Sequence, residues 1–158
     1  MKFSKDQLFN YSKVAAFILL VIFVHLKYRE HQSPQIYPGG QKKSVGVYKN
    51  GKPDGTWTWW YENGQKMMEG VFVGGKRSGI WNTWHTNGQV KSNGLYSNDM
   101  LNGRFVAWHS NGNIKHSGNY LKDKLHGLQQ FYDQSGTLIE EKEFSNGEEL
   151  KNTDQKIL

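Results

Sequence analysis

The stretch GTWTWWYENG, residues 55–64, decides the fold of this chain because it returns three more times at one fixed spacing. The copies are GIWNTWHTNG at 79–88, GRFVAWHSNG at 103–112 and GLQQFYDQSG at 127–136. Each copy begins 24 residues after the one before it. A fixed period of this length indicates a repeat array, in which each unit buries its apolar face against its neighbours.

Each unit predicts a β-hairpin. In the first unit one strand covers about 56–61 and ends at Asn63–Gly64, a dipeptide that favours tight hairpin turns with positive φ. A second strand covers about 65–72, and a glycine-containing link leads to the next unit. The predicted fold class is therefore all-β: an elongated single-layer array of tandem 24-residue antiparallel β-hairpin repeats, preceded by an N-terminal hydrophobic helix.

Glycines and aromatic rings recur together and predict how the units pack. One glycine row has the 24-residue spacing throughout: Gly46, Gly70, Gly94 and Gly118. Leu, Ile and Val are sparse after Leu26, so the core must consist largely of aromatic side chains. We expect the glycine row to leave room for a ring from a neighbouring strand to lie over bare backbone.

Trp57 and Trp60 are three residues apart, which places them on opposite faces of a regular strand. Yet aromatic residues recur at both positions. We favour a bulge or bend that brings both rows into the core, so that Trp84→Ala would cost as much as a core truncation. The alternative is an exposed aromatic stripe. The candidate binding surface combines residues of the repeated strands with basic residues of the links: Trp57, Trp59, Tyr61, Trp81, His85, Phe105, His109, Lys52, Lys76 and Arg77.

The repeats resemble MORN repeats, most closely the bacterial variant grouped with antitoxin-type repeat proteins. The first unit carries the pattern at Tyr48, 50–52, Gly55, Trp57 and 61–65, and the resemblance covers about 44–147. It implies curled sheets of successive hairpins that act as scaffolds, dimerisation elements or binding surfaces, with lipid binding in some members. The antitoxin grouping implies a toxin partner.

This chain departs from the MORN pattern at three positions. Asp99 and Asp123 replace the turn glycine, and Gln129 replaces the tryptophan of the fourth unit. The departures affect the turns that join the later units.

The N-terminal part has a different character. Lys2, Lys5 and Lys13 precede an apolar run at 14–26, which predicts a membrane anchor or a secretory signal. No small-x-small cleavage site follows, which favours an uncleaved single-pass anchor with the repeats outside the cytoplasm. The alternative is a secreted or periplasmic protein after cleavage.

The predicted organisation has four parts. An anchor or signal segment occupies 1–30, a linker 31–43, four repeats 44–147 and a C-terminal tail 148–158.

The charge distribution narrows the choice of partners. The net charge is +6, and residues 42–115 hold 10 Lys/Arg against 4 Asp/Glu, yet they contain no dense basic run. Nucleic acid is therefore not expected as a partner, whereas anionic lipid or glycan is an alternative ligand. The absence of cysteine excludes disulfides, thiolate metal sites and cysteine nucleophiles.

No motif or spacing in the chain predicts catalysis. His85 and His109 occupy equivalent positions in adjacent units, about 10 Å apart across two strands, which is too far for one metal ion. We therefore expect no enzyme activity, no catalytic residue, no cofactor and no metal site.

The favoured function is a membrane-tethered, non-catalytic scaffold that binds a protein partner or an envelope component. A lipid- or glycan-binding module and an antitoxin or immunity-type protein that neutralises a toxin are the alternatives. The sequence leaves the oligomeric state open.

Overall fold

The repeated units form consecutive strands of one sheet. The computed structural model describes residues 14, 16–22 and 34–150. Its eleven strands, in chain order, are β1 (Gln35–Ile36), β2 (Lys42–Lys49), β3 (Lys52–Trp60), β4 (Lys66–Val73), β5 (Lys76–Trp84), β6 (Val90–Ser97), β7 (Met100–Trp108), β8 (Ile114–Leu121), β9 (Lys124–Tyr132), β10 (Leu138–Ser145) and β11 (Glu148–Glu149).

Each strand pairs with the strands that precede and follow it in the chain. The sheet order is β1 to β11 without a crossover, and every pairing is antiparallel. A nine-residue strand, a five-residue turn, an eight-residue strand and a two-residue turn make up one 24-residue period. The predicted all-β architecture of tandem antiparallel hairpins is confirmed.

The two turns of each period differ in backbone conformation. The two-residue turns have positive φ at both positions, as at Asn50–Gly51 (53° and 73°) and Asn98–Asp99 (51° and 70°). This is the geometry of the tight hairpin turns that match strand twist. The links are therefore the true two-residue hairpins, and Asp99 and Asp123 occupy their positive-φ positions instead of disrupting them.

The Asn-Gly dipeptides lie in a wider turn, and here the prediction was wrong. Of Asn63 and Gly64, only Gly64 has positive φ, at 82°. Its N–H donates to the carbonyl of Tyr61, and the N–H of Tyr61 donates to that of Gln65. A turn closed by glycine in this way is a three- to five-residue hairpin loop with a bulge. Asn63 does not adopt a positive φ, and its side chain accepts a hydrogen bond from the N–H of Gln65.

The sheet extends beyond the predicted repeat boundaries at both ends. Residues 34–43, assigned to a linker, contain β1, a turn and the start of β2. The segment YPGGQ at 37–41 forms the same turn as YENGQ at 61–65, with the N–H of Tyr37 bonded to the carbonyl of Gln41. The tail assigned to 148–158 begins with β11, and residues 151–158 of it lie outside the described residues.

The glycine row receives aromatic rings as predicted. Trp57 lies over Gly46 and Trp81 over Gly70, where a Cβ atom would overlap the indole ring. Only 6% of Trp57 and 4% of Trp81 are exposed. Each indole N–H also donates to a backbone carbonyl, that of Val47 (3.1 Å) or Val71 (3.2 Å). The core of each early unit is thus one tryptophan seated on the backbone of the preceding strand.

The N-terminal unit is described only at residues 14 and 16–22, which are helical. Among the described residues, no helix has both the length and the apolar character needed to cross a membrane. The predicted anchor or signal segment at 1–30 lies for its greater part outside the described residues, and so does the start of the predicted linker at 31–33.

Candidate binding face

Side chains on alternate strand positions divide the sheet into two faces. We call the side that carries Trp57, Trp59 and Trp81 the core face, because their rings pack together. Trp59 lies 5.5 Å from Trp57 and 5.9 Å from Trp81, measured between ring centroids. We call the opposite side, which carries Thr58, the open face.

The core face holds four of the predicted binding residues, and it packs them instead of presenting them. Trp57 and Trp81 are buried, whereas Trp59 and Phe105 are half-buried. Phe72 meets the ring of Trp81 edge to face at 4.9 Å. The prediction that these rings form a binding stripe is wrong for the buried pair, because their surface is occupied by neighbouring strands.

The Trp60 row lies on the other side. The pairing of β3 with β4 is irregular between Trp59 and Trp60, and the same irregularity occurs in the next two units. Trp84 contacts the ammonium group of Lys66, 5.0 Å from the ring centroid, and that group also binds Glu69 on the open face. All four members of the row are half-buried like Trp59, but they lie on the open face, away from the packed rings around Trp57: Trp60, Trp84, Trp108 and Tyr132. The favoured interpretation, that both rows are core, is therefore wrong for this one.

Beside the tryptophans, a mostly polar row crosses the open face at right angles to the strands. Its members are paired in register across β3 to β10: Thr58, Glu69, Asn82, Asn93, Val106, Ser117, Gln130 and Glu141. We call these eight residues the polar row. The sequence contained a signal for this row, because its members alternate with the Trp57 and Gly70 rows.

Hydrogen bonds join neighbours within the polar row. Thr58 donates to Glu69 (3.1 Å), Asn93 to Asn82 (2.7 Å) and Gln130 to Glu141 (2.8 Å). A hydrogen bond from Lys66 holds the pKa of Glu69 below its ordinary value, although partial burial acts in the opposite direction. The ionised Glu69 and Lys66 therefore neutralise each other at this end of the row.

An exposed aliphatic group lies on the other flank of the polar row. Val71, Ile80 and Leu95 are 38%, 56% and 42% exposed, and Ile80 pairs with Leu95 across β5 and β6. All the described strands belong to one sheet, so no second sheet packs on these side chains. The open face therefore presents apolar, polar and aromatic rows side by side.

A shallow groove of about 610 Å³ lies where the polar row meets the tryptophan row. Its lining comes from β5, β6, β7 and two five-residue turns: Asn82, Asn93, Val90, Trp108, Gln89, Gly88 and Gly112. The Asn93 amide nitrogen donates to the Asn82 oxygen, so the Asn82 nitrogen and the Asn93 oxygen have no partner among the described residues. These two atoms are available to a ligand.

Tyr61, His85 and His109, predicted as binding residues, instead join one unit to the next. The Tyr61 hydroxyl donates to the carbonyl of Trp84 at 2.8 Å. The Nε2 atoms of His85 and His109 lie 3.0 and 2.9 Å from the carbonyls of Trp108 and Tyr132. Because a carbonyl only accepts, each imidazole must carry its proton on Nε2. We call this row a ladder, because each side chain bonds to the backbone of the next unit and so holds successive units together.

The turn asparagines form a second ladder of hydrogen bonds between units, next to the first. Asn63 donates to the carbonyl of Thr86, Asn87 to that of Ser110 and Asn111 to that of Gln134, at 2.7 to 2.9 Å. Asp133, at the end of the Tyr61 row, accepts instead from Ser135 and Thr137 of its own turn. These bonds lower its pKa, the Ser135 hydroxyl bond most of all.

The predicted basic residues separate into two groups. Arg77 lies over the ring of Tyr96 at 4.1 Å and donates to the backbone carbonyl of Asp99, so it fixes a link between units. Lys52 and Lys76 are exposed at the ends of strands next to two-residue turns. Within 34–150 and the described helical residues, no group of His, Asp or Glu side chains is arranged to hold a metal ion.

Comparison with protein families identifies the repeats. The family model described as a MORN repeat variant matches residues 53–73, 77–98 and 125–146. Three of the repeat units therefore belong to the MORN repeat variant family. A comparison with curated proteins gives no match.

The repeat unit that the matches skip also differs in structure. Phe105 replaces tryptophan there and has no N–H to donate, while Leu101 shares the space over Gly94 with it. Leu101 is buried, and Gly103 has a φ of 131° where Gly55 and Gly79 have 76° and 72°. The third unit thus keeps the hairpin but fills the space over its glycine, which we call the niche, from two residues instead of one.

Proposed function

We propose that this MORN-repeat protein is a non-catalytic scaffold that is tethered to a membrane by its N-terminal segment and binds a protein partner or an envelope component on the open face. MORN repeats mediate protein or membrane-lipid interactions in general. The observation that carries the proposal is the composition of the open face. It places exposed Ile80 and Leu95, the free amide atoms of Asn82 and Asn93, and half-exposed Trp108 on adjacent strands.

The core face is a poorer candidate because its side chains are already in use. Its rings contact one another across strands, and Arg77 stacks on Tyr96. Binding there would have to displace contacts that hold the units together. Binding on the open face leaves both hydrogen-bonded ladders and the tryptophan–glycine niches intact, so the array can serve as a rigid surface.

Site-specific crosslinking tests the binding surface, and the absence of native cysteine makes it clean. Ile80→Cys places a photoactivatable crosslinker on the open face, whereas Glu62→Cys places it on an exposed turn. After irradiation of membranes from cells that contain the full chain, we expect a discrete adduct with Ile80→Cys alone. Equal labelling from the two positions, or none from either, would contradict the proposed surface.

The tether is tested separately. Its support is the apolar run at 14–26 between basic residues. The full chain should remain in the membrane fraction after washing with high salt and alkaline carbonate, because hydrophobic insertion resists both treatments. Release of the protein by either wash would show that the segment does not anchor it.

A further inference from the structure

We propose that the open face binds an uncharged, β-linked polysaccharide of the envelope, which lies across the strands along the tryptophan row. This inference rests on the proposed function and names the chemical class of its ligand. The aromatic row, the polar row and the groove between them carry it.

The spacing of the tryptophan row suits a linear glycan. Trp84 and Trp108 occupy equivalent strands of adjacent units, two strands apart, so their separation across the sheet is about 10 Å. This is close to the length of one disaccharide along an extended β-linked chain. The electron-rich indole faces attract the C–H groups on the flat side of a pyranose ring. Successive tryptophans can therefore stack on every second sugar.

The polar row supplies the hydrogen bonds that orient sugar hydroxyls. Asn82 and Asn93 share one bond and line the groove together with Trp108, and the bond leaves one amide nitrogen and one amide oxygen without a partner among the described residues. A hydroxyl both donates and accepts, and so does an amide side chain. The polar row runs in the same direction as the tryptophan row, so a ligand stacked on the rings extends along the amides.

The charge of this surface favours a neutral ligand. From Asn82 to Gln130 the polar row contains only uncharged side chains: Asn82, Asn93, Val106, Ser117 and Gln130. Lys66, which reaches the Trp84 ring, is 2.9 Å from Glu69 and is neutralised by it. An anionic headgroup would need unpaired cations beside the tryptophan row, whereas the exposed Arg104 lies on the opposite flank of the polar row, near Ser117 and Gln130.

The test uses the full chain in detergent and two insoluble probes, a β-1,4-glucan and chitin. We expect the wild-type protein to pellet with at least one probe. The double variant Trp84→Ala/Trp108→Ala should bind about tenfold more weakly, since two stacking platforms are lost. The ladder bonds use the carbonyls of these residues and not their rings, so the array should stay folded.

A second variant and a matched control keep the result interpretable. Asn82→Ala/Asn93→Ala should also weaken pelleting, whereas Glu62→Ala on the exposed turn should not. Unfolding curves of all variants confirm that binding is compared between folded proteins. A change in tryptophan fluorescence on addition of soluble oligosaccharide, absent in the double variant, would support the same site.

The outcomes separate this inference from the proposed function. The polysaccharide proposal is overturned if the wild-type protein stays in the supernatant with both probes. It is also overturned if the double variant pellets as well as the wild type. Sedimentation with liposomes that depends on Trp84 and Trp108 would replace the polysaccharide with lipid and leave the binding role standing. Loss of the Ile80→Cys adduct on intact membranes would instead remove the proposed function itself.

Discussion

The second and fourth units solve the same packing problem with different chemistry. In the second unit Trp81 covers Gly70, and its indole N–H donates to the carbonyl of Val71. In the fourth, Gln129 covers Gly118, is fully buried, and its amide nitrogen donates to the carbonyl of Asn119 at 2.8 Å. Val71 and Asn119 are equivalent positions in the repeat. The amide thus reproduces the hydrogen bond of the indole without reproducing its apolar area.

In these two units the residue over the glycine supplies a hydrogen-bond donor as well as bulk, whereas Phe105 of the third unit supplies bulk alone. Gln129 also donates to the carbonyl of His126 and accepts from His116, whose ring stacks on Phe131 at 4.5 Å. The fourth unit therefore replaces one large ring by a polar network. No buried side-chain polar atom is left without a partner within the described part of the chain.

The largest effect should come from truncation in the early niche. Trp81→Ala should lower the free energy of unfolding by about 3–5 kcal/mol, because it empties a buried site and unpairs the Val71 carbonyl. Trp84→Ala in the same strand should cost only about 1 kcal/mol, since that half-exposed ring loses mainly its contact with Lys66. Urea unfolding curves measure both, and equal costs would contradict the division into two faces.

The loss of stability on replacing the glycine under each niche residue should depend on the side chain that covers it. Gly70→Ala should cost about 2–3 kcal/mol, because the new methyl group overlaps the rigid indole of Trp81. Gly118→Ala should cost less, since the overlapping atoms are at the flexible end of Gln129. Thermal unfolding of the two variants compares the sites directly. A larger loss for Gly118→Ala would show that the polar network is the less tolerant of the two.

The polar network itself should be worth less than a buried tryptophan. Gln129→Leu keeps much of the volume but removes the bonds to Asn119, His126 and His116, which should cost about 1–3 kcal/mol. Gln130→Leu, on the half-buried polar row of the open face, is the matched control in the next residue. Denaturant midpoints should fall for the first variant and barely move for the second.

The smallest effect concerns the turns at which the two units end. His85 of the second unit reaches forward to the next unit, whereas Asp133 of the fourth closes its own turn and has a lowered pKa. A lowered pKa stabilises the folded state above the ordinary carboxyl range, and this contribution is lost as pH falls through the lowered value. The stability difference between wild type and Asp133→Asn should therefore shrink in acid. Unfolding curves at neutral and acid pH measure it, and a constant difference would contradict an ionic contribution.

Much of the fold was predictable from the sequence because the period is constant at 24 residues and the glycine row is the same in every unit. The hairpins followed from the repeats at 55–64 and 79–88, and the glycine row correctly predicted a ring over bare backbone. The turn types were assigned wrongly because Asn-Gly suits more than one hairpin loop. The first turn, at 37–41, was missed because Pro38 and Gly39 stand where later copies have other residues.

The candidate site was less predictable, since exposure depends on neighbours that are far apart in the sequence. Trp57 and Trp60 are equally aromatic, and alternation along β3 puts them on opposite faces, but only the contacts of Trp57 with neighbouring strands show which face is packed. Tyr61 and His85 have the appearance of ligand-binding residues until their partners in the next unit are known. The amides of Asn82 and Asn93 carry no motif and become a site only because register pairs them.

The GTWTWWYENG stretch by itself determined the period, the hairpin and the presence of a niche over glycine. These features are local, since they depend on alternation within one strand and on the backbone freedom of glycine. The tertiary structure alone decided which tryptophan is covered and which is presented. That choice depends on contacts between units, such as the approach of Trp59 to Trp81, which no single repeat contains.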